Sequence, residues 1–82
     1  MKLSQKTIQS HIDFFINDDC DWADVNYRGE NWELTCEMYP EDNTANFIFT
    51  NSKTTFVILT DPVFVDDELK SATVTEIQKL YD

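Results

Sequence analysis

Three groups of residues in this 82-residue chain have side chains capable of chemistry: a single histidine, two cysteines, and a dense set of carboxylates. Nucleophilic catalysis needs a Ser or Cys with a base in reach. The lone candidate base, His11, lies on the apolar side of a helical pattern, with Ile8, Ile12 and Phe15 at helical spacing around it. A half-buried packing histidine is the expectation there. No Ser or Cys has a recognisable partner. Cys20 and Cys36 read as reduced thiols, with a disulfide between them as the lesser alternative.

The segment Asp18-Asp19-Cys20-Asp21-Trp22-Ala23-Asp24 is rich in oxygen ligands. An EF-hand loop needs Asp-x-Asp/Asn-x-Asp/Asn-Gly and a Glu at its twelfth position. Here Asp19-x-Asp21 runs on to Ala23, and the glycine is missing. Zinc would need more Cys and His. Phosphate binding would need a Gly-rich loop or many cations, and the chain has one Gly and six Lys and Arg. A glycosidase sets two carboxylates across a sugar-sized cleft, and a domain this small has little room for one. The expectation is a protein that is not an enzyme and carries no metal and no cofactor.

What remains is the acidity itself. Sixteen Asp and Glu oppose six Lys and Arg, a formal net charge of -10. Between Asp13 and Asp42 lie Asp13, Asp18, Asp19, Asp21, Asp24, Glu30, Glu33, Glu37, Glu41 and Asp42, against Arg28 alone. Such a one-sided field repels itself, and small domains normally mix their signs. It also repels nucleic acid and anionic lipid. Disorder is excluded by 41% hydrophobic and 13% aromatic residues. No apolar run is long enough for a signal peptide or a membrane span, so a cytoplasmic location is expected.

These carboxylates need elements to position them. The chain reads as one domain over residues 1–82, of α+β class: an N-terminal helix, a four-stranded antiparallel meander and a C-terminal helix. Ser4 caps a first helix that runs to about Asn17, with Phe14 and Ile16 widening its apolar side. Its charges oppose its dipole, with Lys2 and Lys6 at the positive end and Asp18 and Asp19 at the negative end. Trp32 to Tyr39 alternates as a strand, as does Trp22 to Tyr27, and Arg28-Gly29-Glu30-Asn31 fits a four-residue hairpin loop between them. That register sets Tyr27 opposite Trp32, Val25 opposite Leu34 and Asp24 opposite Thr35. Asn46–Thr50 and Thr54–Thr60 are the next strands, the second ended by Asp61-Pro62. Val63–Val65 is a short strand or a packing loop. Thr73 and Glu76 form a capping box, and Val74, Ile77, Leu80 and Tyr81 give the apolar stripe of a final helix.

In this arrangement Asp24, Glu33 and Glu37 share one exposed face, with Glu33 and Glu37 about 13 Å apart. Asp18, Asp19 and Asp21 enter at one end, near Glu41 and Asp42, and Glu30 marks the opposite tip. Trp22 and Tyr39 stand within this negative stripe as aromatic anchors. Asp66-Asp67-Glu68 is a second candidate surface. The partner implied is a basic nucleic-acid-binding protein, with its cationic groove filled by the stripe. The expected function is a non-enzymatic inhibitor acting by nucleic-acid mimicry, of the anti-CRISPR or anti-restriction type made by phage and mobile elements in a bacterial host. An immunity protein that neutralises a cationic nuclease toxin shares the same physics. A structural or adaptor domain and a small enzyme or metal-binding protein are further alternatives, monomer and dimer are both open for the chain, and acidity that serves solubility alone is the plainest reading.

Overall fold

The computed structural model describes residues 3–81. One helix, α1 (Gln5–Asn17), precedes five strands: β1 (Trp22–Tyr27), β2 (Glu30–Tyr39), β3 (Thr44–Thr50), β4 (Thr55–Val65) and β5 (Glu68–Tyr81). The strands form a single antiparallel sheet in the order β1-β2-β3-β4-β5. The N-terminal helix is where the sequence placed it, with Ser4 Oγ accepting from the Thr7 amide. Lys2 lies outside the described residues.

The four-stranded sheet and the C-terminal helix are corrected. Residues from Thr73 onward form the far half of β5, and α1 is the one α-helix among the described residues. Asp61-Pro62 does not end a strand either. β4 runs through it to Val65, pairing Pro62 with Ala72 and Thr60 with Val74. Proline is tolerated because β3 pairs with β4 only as far as Leu59. Beyond that point β4 has a neighbour on one side only, so the missing N–H costs no ladder bond. Asp66 and Asp67 both adopt positive φ, 54° and 63°, and close β4 onto β5 as a two-residue turn of the primed type. Two further changes are extensions. The third strand begins at Thr44, and Val63–Val65 belongs to β4.

The first hairpin also differs from expectation. Arg28 and Gly29, at φ 53° and 80°, make a two-residue turn, and the four-residue loop is not formed. Tyr27 therefore pairs with Glu30, Val25 with Trp32, Ala23 with Leu34 and Asp24 with Glu33. The shift is by two residues, so every side chain keeps its face.

The core lies between α1 and one face of the sheet. Ile8, Ile12 and Phe15 of α1 meet Val25, Trp32, Leu34, Phe47, Phe49, Phe56, Ile58 and Val74. Phe15 packs edge-on to Phe47 at 5.5 Å, and Trp32 stacks on Phe49 at 4.6 Å. Phe14, expected to widen the helix's apolar side, is 63% exposed instead. The clamp between helix and sheet is polar. Gln9 of α1 accepts from the Val74 amide and donates to the Ala72 carbonyl, each at 2.8 Å. Gln5 donates to the Val74 carbonyl. These contacts cover part of β5, an edge strand whose backbone groups would otherwise be open.

Candidate protein interface

α1 covers one face of the sheet and leaves the other open. Strand alternation places Trp22 and Asp24 of β1 on that open face, with Glu33, Thr35, Glu37 and Tyr39 of β2. Asp24 stands directly opposite Glu33, at a cross-strand Cβ spacing of about 5 Å, where like charges destabilise. Trp22 lies opposite Thr35, and the expected pairings of Asp24 with Thr35 and Trp22 with Glu37 are not formed. Glu37 faces Asn46, and Tyr39 faces Thr44. Trp22 and Tyr39 are 52% and 46% exposed, open enough to contact a partner. Toward the middle of the same face, Ile48, Val57 and Leu59 are half-buried.

The remaining predicted residues gather at one end of the sheet. α1 finishes there, and three chain connections are made there. The first runs from Asp18 through Asp21 into β1. The second is the 3-10 turn Pro40–Asp42 between β2 and β3, which carries Glu41 and Asp42. The third is the β4–β5 turn, with Asp66 and Asp67, followed by Glu68. Among the described residues none of Asp18, Asp19, Asp21, Glu41 and Asp42 belongs to an ion pair, whereas Glu68 lies 3.4 Å from Lys70. The opposite end carries Arg28, stacked over the Tyr27 ring at 5.4 Å, and Lys53 in the β3–β4 connection. Glu30 is at that end too, bonded to Asn51 and remote from the cluster.

The acidic end forms locally through backbone geometry. The Asp19 amide donates to Ile16 and the Cys20 amide to Phe15, with Asp19 left-handed at φ 53°. This is a Schellman closure of α1 with aspartate where glycine is usual. Register shifts in the β4–β5 ladder at Leu59/Thr60 and Val63/Phe64 mark irregularities that bend a hairpin. The far part of this hairpin lies by the end of α1. Leu69, Asp67 and Glu68 thus line one groove with Phe15, Ile16, Asp19, Cys20, Cys36 and Met38. Sequence reasoning kept Asp66–Glu68 apart from the other carboxylates and missed this groove. The signal available was the Asp66-Asp67 pair itself, a turn dipeptide between two β-rich runs.

Both cysteines are free thiols on this groove. Burial, and secondarily the charge of Glu37, push the Cys36 thiol up to about 12, so it stays protonated and serves as an apolar wall. His11 is half-buried, and desolvation lowers its pKa. Among the described residues no group of three or more His, Cys, Asp or Glu is placed to hold a metal ion. No helix among them is long and apolar enough to cross a membrane. The chain matches no protein-family model, no curated protein and no solved structure.

Proposed function

We propose that this protein is a non-enzymatic inhibitor that occupies the positively charged surface of a nucleic-acid-binding protein. It imitates the charge of nucleic acid, as anti-CRISPR and anti-restriction proteins of phage and mobile elements do. One observation carries the reading. Three acidic connections, distant in sequence, lie at one end of the sheet, while Arg28 and Lys53 stand at the other. Solubility alone asks for scattered charge. Grouped carboxylates of one sign are expected where a cationic surface will neutralise them.

The acidic end steers the encounter, and the open face beside it supplies the anchors. Trp22 and Tyr39 bury aromatic area on the partner while Asp24, Glu33 and Glu37 meet its cations. The charges are sparser than the one per ~1.7 Å of a DNA duplex. Affinity therefore has to come from the aromatic contacts as well as from charge.

The test is capture from a bacterial lysate with the intact protein as bait. The expected partner is a nucleic-acid-binding protein retained at roughly 50 mM salt, largely lost by roughly 200 mM, and displaced by duplex DNA. The variant D18K/D19K/E41K/D42K should keep its circular dichroism spectrum and lose that partner. Capture that survives high salt, DNA competition and this charge reversal sinks the proposal and favours an adaptor domain. A toxin gene beside the coding sequence would instead favour the immunity reading.

A further inference from the structure

The groove at the acidic end has a composition that selects its occupant. It encloses about 170 Å³. That is below the ~300–1,000 Å³ usual for cofactor and small-ligand sites. It is close to the ~150 Å³ that admits one benzene-sized group. The space suits one side chain. Its wall is apolar, built from Phe15, Ile16, Cys20, Cys36, Met38 and Leu69, and its rim is anionic. Asp19 comes from the end of α1, and Asp67 and Glu68 from the β4–β5 turn. Lys70 engages Glu68, which leaves Asp19 and Asp67 as the rim's unpaired carboxylates among the described residues. The negative end of the α1 dipole adds to their field.

We infer that this groove seats one arginine side chain of the basic partner, an inference that rests on the proposed function. Apolar walls under an anionic rim match a long stem with a cationic head. A neutral aromatic group would gain from the walls and leave the carboxylates unanswered. Between the two cationic side chains, arginine fits better. Its guanidinium is planar, weakly hydrated and forked, so it enters a half-buried site at less cost than an ammonium and can span carboxylates from two elements. A partner surface built for phosphates is also rich in arginine.

Nuclear magnetic resonance titration with N-acetyl-arginine methylamide, and with its neutral citrulline counterpart, tests the seat without the partner. The arginine probe is expected to give saturable shifts at Ile16, Met38 and Leu69, and the citrulline probe to bind at least several-fold more weakly. Two variants should lose the probe. Leu69→Trp fills the groove. Met38→Lys, at a position already 47% exposed and therefore tolerant, places a competing cation over it. Equal binding of citrulline, or shifts that fail to saturate and spread to Asp24 and Glu33, would overturn the seat. The two readings fail separately. A target captured salt-dependently and undiminished by Met38→Lys overturns the seat alone. Saturable arginine binding with no salt-labile target upholds the groove and overturns the choice of partner.

Discussion

Asp19 is a residue at which this chain departs from what its own stability asks. It holds a left-handed φ of 53° in the closure of α1, a position that glycine fills without steric cost. It also puts a carboxylate at the negative end of the helix dipole, a placement that costs roughly 0.3–1 kcal/mol at low salt. Asp19→Gly is expected to stabilise the protein by about 1 kcal/mol, read as a higher urea midpoint at unchanged slope. The same change should weaken binding to the proposed target, because it removes charge from the proposed interface. Loss of stability would mean that the carboxylate has a local role the helix end does not reveal. His11 gives a second prediction at this scale. Burial disfavours its imidazolium, so its folded pKa lies below the ordinary 6.5 of the unfolded chain. Above that value both states are neutral and the histidine adds no pH dependence. As pH falls through it, the unfolded chain takes the proton first, and stability drops until the folded value is passed. His11→Gln should flatten the loss of stability as pH falls through about 6.5, measured by urea unfolding against wild type. Equal pH slopes would show that the imidazole is solvated.

At the scale of elements, the β4–β5 hairpin decides both the fold and the site. Gln9 is its clamp. Gln9→Ala strands the Val74 amide and the Ala72 carbonyl in a partly buried setting, a loss of about 1–3 kcal/mol. Hydrogen exchange at the Val74 amide should accelerate with it. Unchanged exchange there would mean that the edge of β5 is protected some other way. This hairpin was also the element least legible in the sequence. Val74, Ile77, Leu80 and Tyr81 fit a helical stripe, and Thr73 with Glu76 fits a capping box. The same stretch holds β-branched Thr73, Val74, Thr75 and Ile77, which suit a strand. Local pattern does not arbitrate between these. The pairing with Thr55–Asp61 does, and reading Asp61-Pro62 as a strand end concealed the hairpin that brings the chain back to it. The first hairpin failed in a different way. Alternation revealed which residues of Trp22–Tyr27 and Trp32–Tyr39 share a face. It did not reveal which of them pair, because a slip by two leaves every face unchanged. The open acidic face, with Asp24, Glu33 and Glu37, was therefore legible from alternation alone. The acidic end was legible in part, since Asp18–Asp21 and Glu41–Asp42 flank the first hairpin. Asp66–Glu68 joins them only because β5 is a strand.

At the scale of the whole molecule, charge acts on folding and on binding with opposite sign. The protein measures 37 × 22 × 20 Å. The screening length is about 30 Å at 0.01 M salt and about 8 Å at 0.15 M. At the lower value nearly every carboxylate feels the others, at the higher one only its neighbours. The pairs that remain close, such as Asp24 opposite Glu33 and Asp66 beside Asp67, are those that screening relieves least. Added salt should therefore stabilise the free protein, and a gain of about 1 kcal/mol corresponds to a rise in Tm of about 4–8 °C for a domain of this size. Thermal melts across that range of sodium chloride measure it. Target association should respond the other way, with kon falling steeply over the same range as steering is screened. Fast-mixing kinetics on the captured partner give that slope. Opposite signs in the two measurements are what a surface selected for encounter requires. A Tm that is flat with salt would show that the carboxylates do not burden the fold. A flat kon would show that they do not guide the partner, and the proposed inhibition would then have to rest on Trp22, Tyr39 and the apolar centre of the open face.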